Sequence, residues 1–123
     1  MANPTLAEPI FAIEQQNDTI IVIPTVDLRE LDYQRIEEGA KNVVDHLNGT
    51  GTKNVVMDFH KTDYCGSTAL VFFVKLWMKV RRQNGRMAFC NVSDHEKDIL
   101  QVTKLDHLWP ICSLRSEALE AVK

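Results

Sequence analysis

The sequence has 123 residues, of which 45% are hydrophobic and 25% are charged, and its net charge at pH 7 is -3. These values are ordinary for one globular domain, so they exclude a disordered chain and a coiled coil. The slightly acidic balance gives no electrostatic reason to expect binding to nucleic acid or to an anionic membrane.

The sequence also lacks the signals of membrane insertion, metal binding and nucleotide binding. Its longest apolar run, residues 69–74, is far too short to span a bilayer. The first nine residues, MANPTLAEP, do not resemble a secretion signal, so we expect a cytoplasmic protein. The three cysteines have no metal-ligand spacing and the five glycines form no phosphate-binding loop. We therefore expect reduced thiols, no metal and no cofactor.

The first part of the chain predicts a β-hairpin. Residues 1–9 show no periodicity and are expected to form a loose lead-in. Apolar residues alternate over 11–14, residues 16–18 favour a turn, and residues 19–23 are typical of a more buried strand. Pro24 should end the pairing because it has no N–H group to donate.

A long helix and a buried strand follow. Asp32 can cap the helix and Asn48-Gly49 predicts its end. Residues 55–59 are predicted as a buried strand because four of the five are apolar. In the helix between Asp32 and Gly49, the apolar spacing predicts an inward face made of Tyr33, Ile36, Ala40, Val43, Val44 and Leu47.

The second half of the chain alternates between helices and strands. The spacing predicts a helix over 67–82 and a strand over 87–92, and the capping box of Ser93 and Glu96 predicts a third helix. A short strand over 108–111 should lie at a sheet edge because it contains Pro110, and a last helix starts at Ser113 or Ser116. The order predicts an α/β fold: a mixed, mostly parallel sheet of four to five strands with about four helices packed on it.

Ser67 and Thr68 lie where a strand end meets the start of a helix. The unpaired N–H groups and the positive end of the helix dipole converge at such a point, which suits a hydroxyl and suits a phosphate better. From position alone, Ser67 is interpreted as the N-cap of the helix, with Thr68 as the alternative cap.

Several motifs occur in a fixed order without gaps between residues 32 and 111. They are GSTALV (66–71), the Asn84-Gly85 turn, MAFCNVS (87–93) and VTKLDHLWPI (102–111). On these motifs the chain resembles the STAS domain and, within that family, the bacterial anti-sigma-factor antagonists. The resemblance implies a single STAS domain over residues 1–123 that regulates transcription without catalysis.

The resemblance implies a role for Ser67. Its place in the motif is that of the serine phosphorylated by a partner that is both a serine kinase and the anti-sigma factor. The unphosphorylated form would bind this partner through Gly66, Ser67, Thr68 and the following helix. Thr68 is a second possible acceptor.

The chain departs from the family pattern at two places. Gly66 stands where the family usually has an aspartate, and a glycine supplies only conformational freedom, including access to a positive φ angle. Residues 26–30 look like an insertion before the first helix. The first departure bears on the shape of the loop before Ser67, and the second bears on any partner contact made by residues 26–30.

The helix over 67–82 is apolar on more than one face. Val71 and Phe72 adjoin the inward Leu70 and Phe73, and about 100° of rotation per residue should carry at least one of them out of the core. With Lys75 they would form a docking face for the partner. The other interpretations are contact with neighbouring helices and isolated exposed residues.

Two rival functions remain open. The first is a STAS subunit of a scaffold or transport complex in which Ser67 is never modified. The second is a small enzyme with Cys65 as nucleophile and His60 as base. A metal site formed by Asp58, His60, Asp63 and Cys65 is disfavoured because strand alternation does not make the four converge.

Overall fold

Five strands form one sheet in the computed structural model, which describes residues 9–123. The strands are β1 (Phe11–Gln16), β2 (Thr19–Pro24), β3 (Asn54–Asp58), β4 (Met87–Cys90) and β5 (Ile111–Cys112). The helices are α1 (Tyr33–Thr50), α2 (Ser67–Arg82), α3 (Asp94–Val102) and α4 (Arg115–Ala121). Short 3-10 turns cover Glu30–Asp32 and Leu105–His107.

The strands lie in chain order across the sheet. β1 and β2 form an antiparallel hairpin, and every later neighbouring pair is parallel. Parallel strands need crossover connections, which α1, α2 and α3 supply. The predicted α/β class, the mixed sheet and the four helices are confirmed.

Helices cover the sheet on both sides, and strand β2 shows how the chain divides between them. Ile20 and Val22 face the larger core layer, which also contains the buried faces of α1, α2 and α3. Ile21 and Ile23 face a smaller layer with Ala118 of α4. Because successive side chains of a strand point to opposite faces, one apolar run serves both layers.

Helix α1 differs from its prediction at both ends. It continues past Asn48-Gly49 to Thr50 and ends at Gly51, whose φ of 68° is left-handed. Asp32 holds the N-cap position, but its side chain accepts no capping hydrogen bond. Tyr33 is 54% exposed, so its predicted inward position was wrong. A tyrosine at a helix start can keep its hydroxyl in water, here beside Glu37.

The later elements match their predictions with small shifts. α2 has the predicted bounds, and the capping box of α3 is present, with Ser93 Oγ accepting from Glu96 N. β4 ends at Cys90 because Asn91 has a left-handed φ of 55°. The predicted edge position of β5 is confirmed, but the strand covers Ile111–Cys112 and begins after Pro110, so the predicted bounds of 108–111 were wrong. α4 begins at Arg115, between the two predicted starts. The lead-in prediction falls mostly on residues 1–8, outside the described residues.

Candidate functional site

Ser67 is the first residue of α2, directly after the loop that leaves β3. Its side chain is exposed, whereas Thr68 is half-buried. Gly66 holds the N-cap position, so the interpretation of Ser67 or Thr68 as the cap was wrong. The Ser67 side chain is therefore exposed at the helix start and does not cap the helix.

The loop of residues 59–66, here called the Ser67 loop, is held on one side by the segment predicted as an insertion. Leu28 N donates to Tyr64 O at 3.2 Å, and Gly66 N donates to Leu28 O at 2.7 Å. These bonds make an isolated parallel bridge between Leu28 and Cys65. Asp27 Oδ1 also accepts from the N–H groups of Asp63 and Tyr64. Residues 27–30, here called the 27–30 segment, are thus part of the site.

The start of α3 holds the Ser67 loop on its other side. Ser93 Oγ donates to Asp63 O at 2.7 Å, and Thr62 Oγ1 donates to Glu96 Oε2 at 2.7 Å. Glu96 is 1% exposed, and burial raises its pKa above the ordinary value although Ser93 and Thr62 hydrogen-bond to it. The loop is therefore fixed between two elements rather than free.

The backbone angles of Gly66 do not require a glycine, and a side chain at this position would compete for space with the flexible end of Glu30. The φ of Gly66 is -100° and its ψ is -175°, an extended conformation open to any residue, so Gly66 does not use the positive φ that a glycine can adopt. A Cβ at this position would overlap the carboxylate of Glu30. Tyr64 Oη donates to Glu30 Oε1 at 2.7 Å. A carboxylate therefore lies at this position although residue 66 does not supply it.

A groove of about 590 Å³ lies between α1 and α2, beside Ser67. We call it the α1–α2 groove. Its apolar lining is contributed by Ile36, Ala40, Val44, Val71, Phe72 and Leu76. Three lysines and one carboxylate line it as well: Lys41, Lys75, Lys79 and Glu37. The groove therefore combines an apolar floor with a net positive rim.

The two apolar residues expected in the docking face are in different environments. Val71 is 54% exposed, which confirms that at least one of the pair lies outside the core. Phe72 is 6% exposed and its ring stacks on Phe11, so it is mainly a core residue and shows the groove only a small part of its surface. Lys75 is exposed one turn after Val71.

Asp58 anchors a separate polar cluster at the end of β3. It accepts hydrogen bonds from Arg115 Nε (2.8 Å) and Asn91 Nδ2 (3.0 Å), and His60 Nδ1 lies 3.0 Å from its Oδ1. Burial alone would raise the pKa of Asp58, but these hydrogen bonds outweigh it and hold the pKa below the ordinary value. Within residues 9–123, no group of three His, Cys, Asp or Glu side chains could hold a metal ion.

Cys65 has the properties of a structural thiol. It is 1% exposed, and burial together with nearby carboxylates raises its pKa to about 12. A catalytic cysteine needs an accessible side chain and a lowered pKa. The hypothesis of a Cys65 nucleophile therefore loses its physical basis.

Comparison with known proteins supports the resemblance drawn from the motifs. The family model of the STAS domain matches residues 11–118, which include the whole sheet and the Ser67 site. The chain belongs to the STAS domain family. The part of this STAS protein that the structure describes has no helix both long and apolar enough to cross a membrane.

One curated relative matches part of the STAS protein. It is BtrV of Bordetella bronchiseptica, which bears the provisional name of anti-sigma factor antagonist and is 23% identical over 73 residues. The match covers 59% of this chain and 63% of BtrV, so the chain spans less than two thirds of that relative.

Solved structures share the fold of this STAS protein. A Thermotoga maritima protein, provisionally named an anti-sigma factor antagonist, has a TM-score of 0.82 at 21% identity, over 91% of this chain and 93% of that one. The anti-sigma factor antagonist SpoIIAA in its unphosphorylated form has a TM-score of 0.77 at 14% identity, over 89% and 93%. Its phosphorylated form, from Bacillus, has a TM-score of 0.70 at 14% identity, over 89% and 96%.

Sequence reasoning missed Asp27, Glu30 and Tyr64 at the site and Arg115 at Asp58. The sequence did contain a signal for the first two, because residues 26–30 depart from the family pattern. Only the structure shows that this segment lies beside the Ser67 loop. Arg115 has no such signal, since its partner Asp58 lies far from it in the chain.

Proposed function

We propose that this STAS protein is a cytoplasmic anti-sigma factor antagonist that binds a serine-kinase anti-sigma factor and is switched by phosphorylation of Ser67. The observation that carries the proposal is the position of an exposed serine at the first residue of α2, beside the apolar α1–α2 groove. A partner that covers the groove would also cover Ser67. A phosphate left on Ser67 would therefore lie within the docked surface and oppose renewed binding.

Phosphorylation would take place on the Ser67 hydroxyl. Its Oγ forms a bond to the γ-phosphorus of ATP held by the kinase, the bond to the β,γ-bridging oxygen breaks, and ADP leaves. The hydroxyl proton passes to a base of the kinase. Thr68 is a poorer acceptor because its side chain is half-buried and a kinase would have to open the helix start to reach it.

The partner is expected to present apolar and acidic side chains to the groove. The floor is apolar, and its rim carries Lys41, Lys75 and Lys79 against Glu37, so an acidic partner is the complementary one. A phosphate on Ser67 adds about -2 charge. Repulsion from the acidic partner and the cost of removing water from the phosphate would then release the complex.

The test uses the kinase that co-purifies with the STAS protein from its own cells. Incubation with this kinase and ATP should place one phosphate on Ser67, found by peptide mapping. Ser67→Ala should lose the label, and Thr68→Ala, the matched control, should keep it. A stoichiometric phosphate on another residue, with Ser67→Ala still fully labelled, would contradict the proposal.

Affinity purification from the native cells separates the proposal from the rival function, a subunit of a scaffold or transport complex. If the partners captured by affinity purification include no kinase, and Ser67 carries no phosphate in cells, the rival is favoured. The phosphorylated STAS protein should also bind its partner more weakly than the unmodified one, as measured by calorimetry. Equal affinities of the two forms would show that phosphorylation of Ser67 does not control partner binding.

A further inference from the structure

The carboxylate of Glu30 occupies the space over Gly66, although the two residues are far apart in the chain. A Cβ built on Gly66 would meet both carboxylate oxygens and the Cδ of Glu30. The side chain is directed there by Tyr64, whose hydroxyl donates to Glu30 Oε1 at 2.7 Å. Glycine at 66 and glutamate at 30 therefore fit each other as a pair.

The backbone around Glu30 is fixed by the Ser67 loop. Leu28 bonds with its N–H to Tyr64 O and with its carbonyl to Gly66 N, so the 27–30 segment runs alongside the loop. Glu30 then starts the 3-10 turn that leads into α1. Its carboxylate thus reaches Gly66 from a backbone that is itself tied to Gly66.

The start of α2 lacks an anion of its own. Its first turn contains no acidic residue, and its N-cap, Gly66, has no side chain to accept from the free N–H groups. The hydrogen bond from Tyr64, with smaller contributions from the nearby backbone N–H groups of Glu30 and Ser67, holds the pKa of Glu30 below the ordinary value, although some burial opposes this. The Glu30 carboxylate therefore lies where an acidic residue favours a helix start.

We propose that Glu30 is the positioning residue of the Ser67 site, supplying from the 27–30 segment the carboxylate that residue 66 lacks, and that a phosphate on Ser67 displaces it. The second part rests on the proposed phosphorylation of Ser67. A phosphate brings about -2 charge to a helix start that a carboxylate already occupies, and like charges at one site repel. Displacement turns the Glu30 side chain away from Gly66 while the backbone bonds of Leu28 still hold the 27–30 segment, and the moved carboxylate then reports the state of Ser67 to the partner.

The first experiment tests the contact without any kinase. Nuclear magnetic resonance follows the amide proton of Ser67 and the carboxyl carbon of Glu30 as the pH is lowered. The chemical shifts of these two nuclei should change over the same pH range, as the Glu30 carboxylate takes up its proton. Glu30→Gln should remove this change at Ser67, and Glu38→Gln, an exposed glutamate on α1, should leave it intact. If the chemical shift of the Ser67 amide changes with pH to the same extent in both variants, Glu30 does not contact Ser67 and the proposal is overturned.

A substitution at Gly66 tests the shared space. Gly66→Ala should push the flexible end of Glu30 aside and leave the fold intact. The chemical shift of the Ser67 amide should then no longer change with the protonation of Glu30, as in Glu30→Gln. A titration that persists in Gly66→Ala, in a protein with a native spectrum, would show that the two residues do not compete for space.

Rescue tests the positioning role in the labelling reaction. Glu30→Ala should slow phosphorylation of Ser67 roughly ten- to a hundredfold, since a small misplacement of a reacting group has effects of this size. Adding Gly66→Asp to Glu30→Ala should restore most of the rate, because the carboxylate returns from the neighbouring residue into the vacated space. A rate unaffected by Glu30→Ala, or a double variant slower than the single one, would overturn the role.

Displacement is tested with phosphoserine incorporated at position 67 during translation. The Glu30 carboxyl should then titrate at higher pH than in the unmodified protein. An unchanged titration would overturn displacement. Because this protein is made without a kinase, failure of the cognate kinase to label Ser67 would count against the proposed function alone.

Discussion

The ring of Phe72 stacks on that of Phe11, with the ring centroids 5.0 Å apart, and so joins α2 to the edge strand β1. Phe72→Ala would leave a cavity at this contact. We expect it to lower the free energy of unfolding by about 3 to 5 kcal/mol, the usual range for a buried phenylalanine. Urea unfolding followed by circular dichroism measures the change. A loss similar to that of a surface substitution would mean that Phe72 is not part of the core.

Val71, the preceding residue, should behave in the opposite way. It is 54% exposed, so Val71→Asp should change the unfolding free energy little. The same variant should weaken partner binding by about tenfold or more, because it places a charge on the apolar floor of the groove. Met78→Asp is the matched control, since Met78 is exposed on α2 two turns further from Ser67. Equal effects of the two variants on calorimetric affinity would show that the partner does not bind at the groove.

Arg115 should stabilise the fold through Asp58, and the effect should depend on pH. The pKa of Asp58 lies below its ordinary value of 3.8, so its contribution is complete above that pH and is lost as the pH falls through the lower folded value. Arg115→Ala should cost about 1.5 to 3 kcal/mol near neutral pH, the range for a hydrogen bond to a charged group. The difference from wild type should shrink in acid. Arg82→Ala, on the exposed end of α2, should show neither effect.

Glu96 should show the opposite pH dependence. Burial raises its pKa above 4.5, so its contribution to stability is complete below that value and is lost as the pH rises through the higher folded pKa. Glu96→Gln can still accept from Ser93 N and can pair with Thr62, without a buried charge. We expect this variant to gain stability over wild type as the pH rises from acid to neutral. If the urea midpoints of Glu96→Gln and wild type differ by the same amount at every pH, the raised pKa of Glu96 is contradicted.

The three thiols should differ in their reactivity. Cys65 and Cys90 are buried and their pKa values are raised to about 12, whereas Cys112 is partly exposed. A thiol reagent should therefore modify Cys112 first in the folded protein, and all three should react together in denaturant. Cys65→Ala should change stability and leave partner binding as it is. Rapid labelling of Cys65 in the folded state would reopen the hypothesis of a reactive thiol.

The sequence alone predicted the class of the fold and the bounds of the helix that begins at Ser67. The bounds of α2, the capping box of α3 and the hairpin follow from patterns within a few residues, because helix and strand periodicity and capping are local properties. Ser67 could be placed at a helix start for the same reason. The stop of α1 was misplaced by two residues, since both Gly49 and Gly51 could end the helix and only Gly51 adopts the left-handed conformation.

Only the tertiary structure decided what surrounds Ser67. Val71 and Phe72 have similar hydrophobicity, and which of them is buried depended on the position of Phe11 across the sheet. The carboxylate at Gly66 comes from Glu30, and no spacing rule joins residues that meet through the pairing of Leu28 with Cys65. Local periodicity fixes the direction of a side chain relative to its own helix or strand. Long-range packing fixes what that side chain meets, and at this site it brings an anion to a helix start that has none of its own.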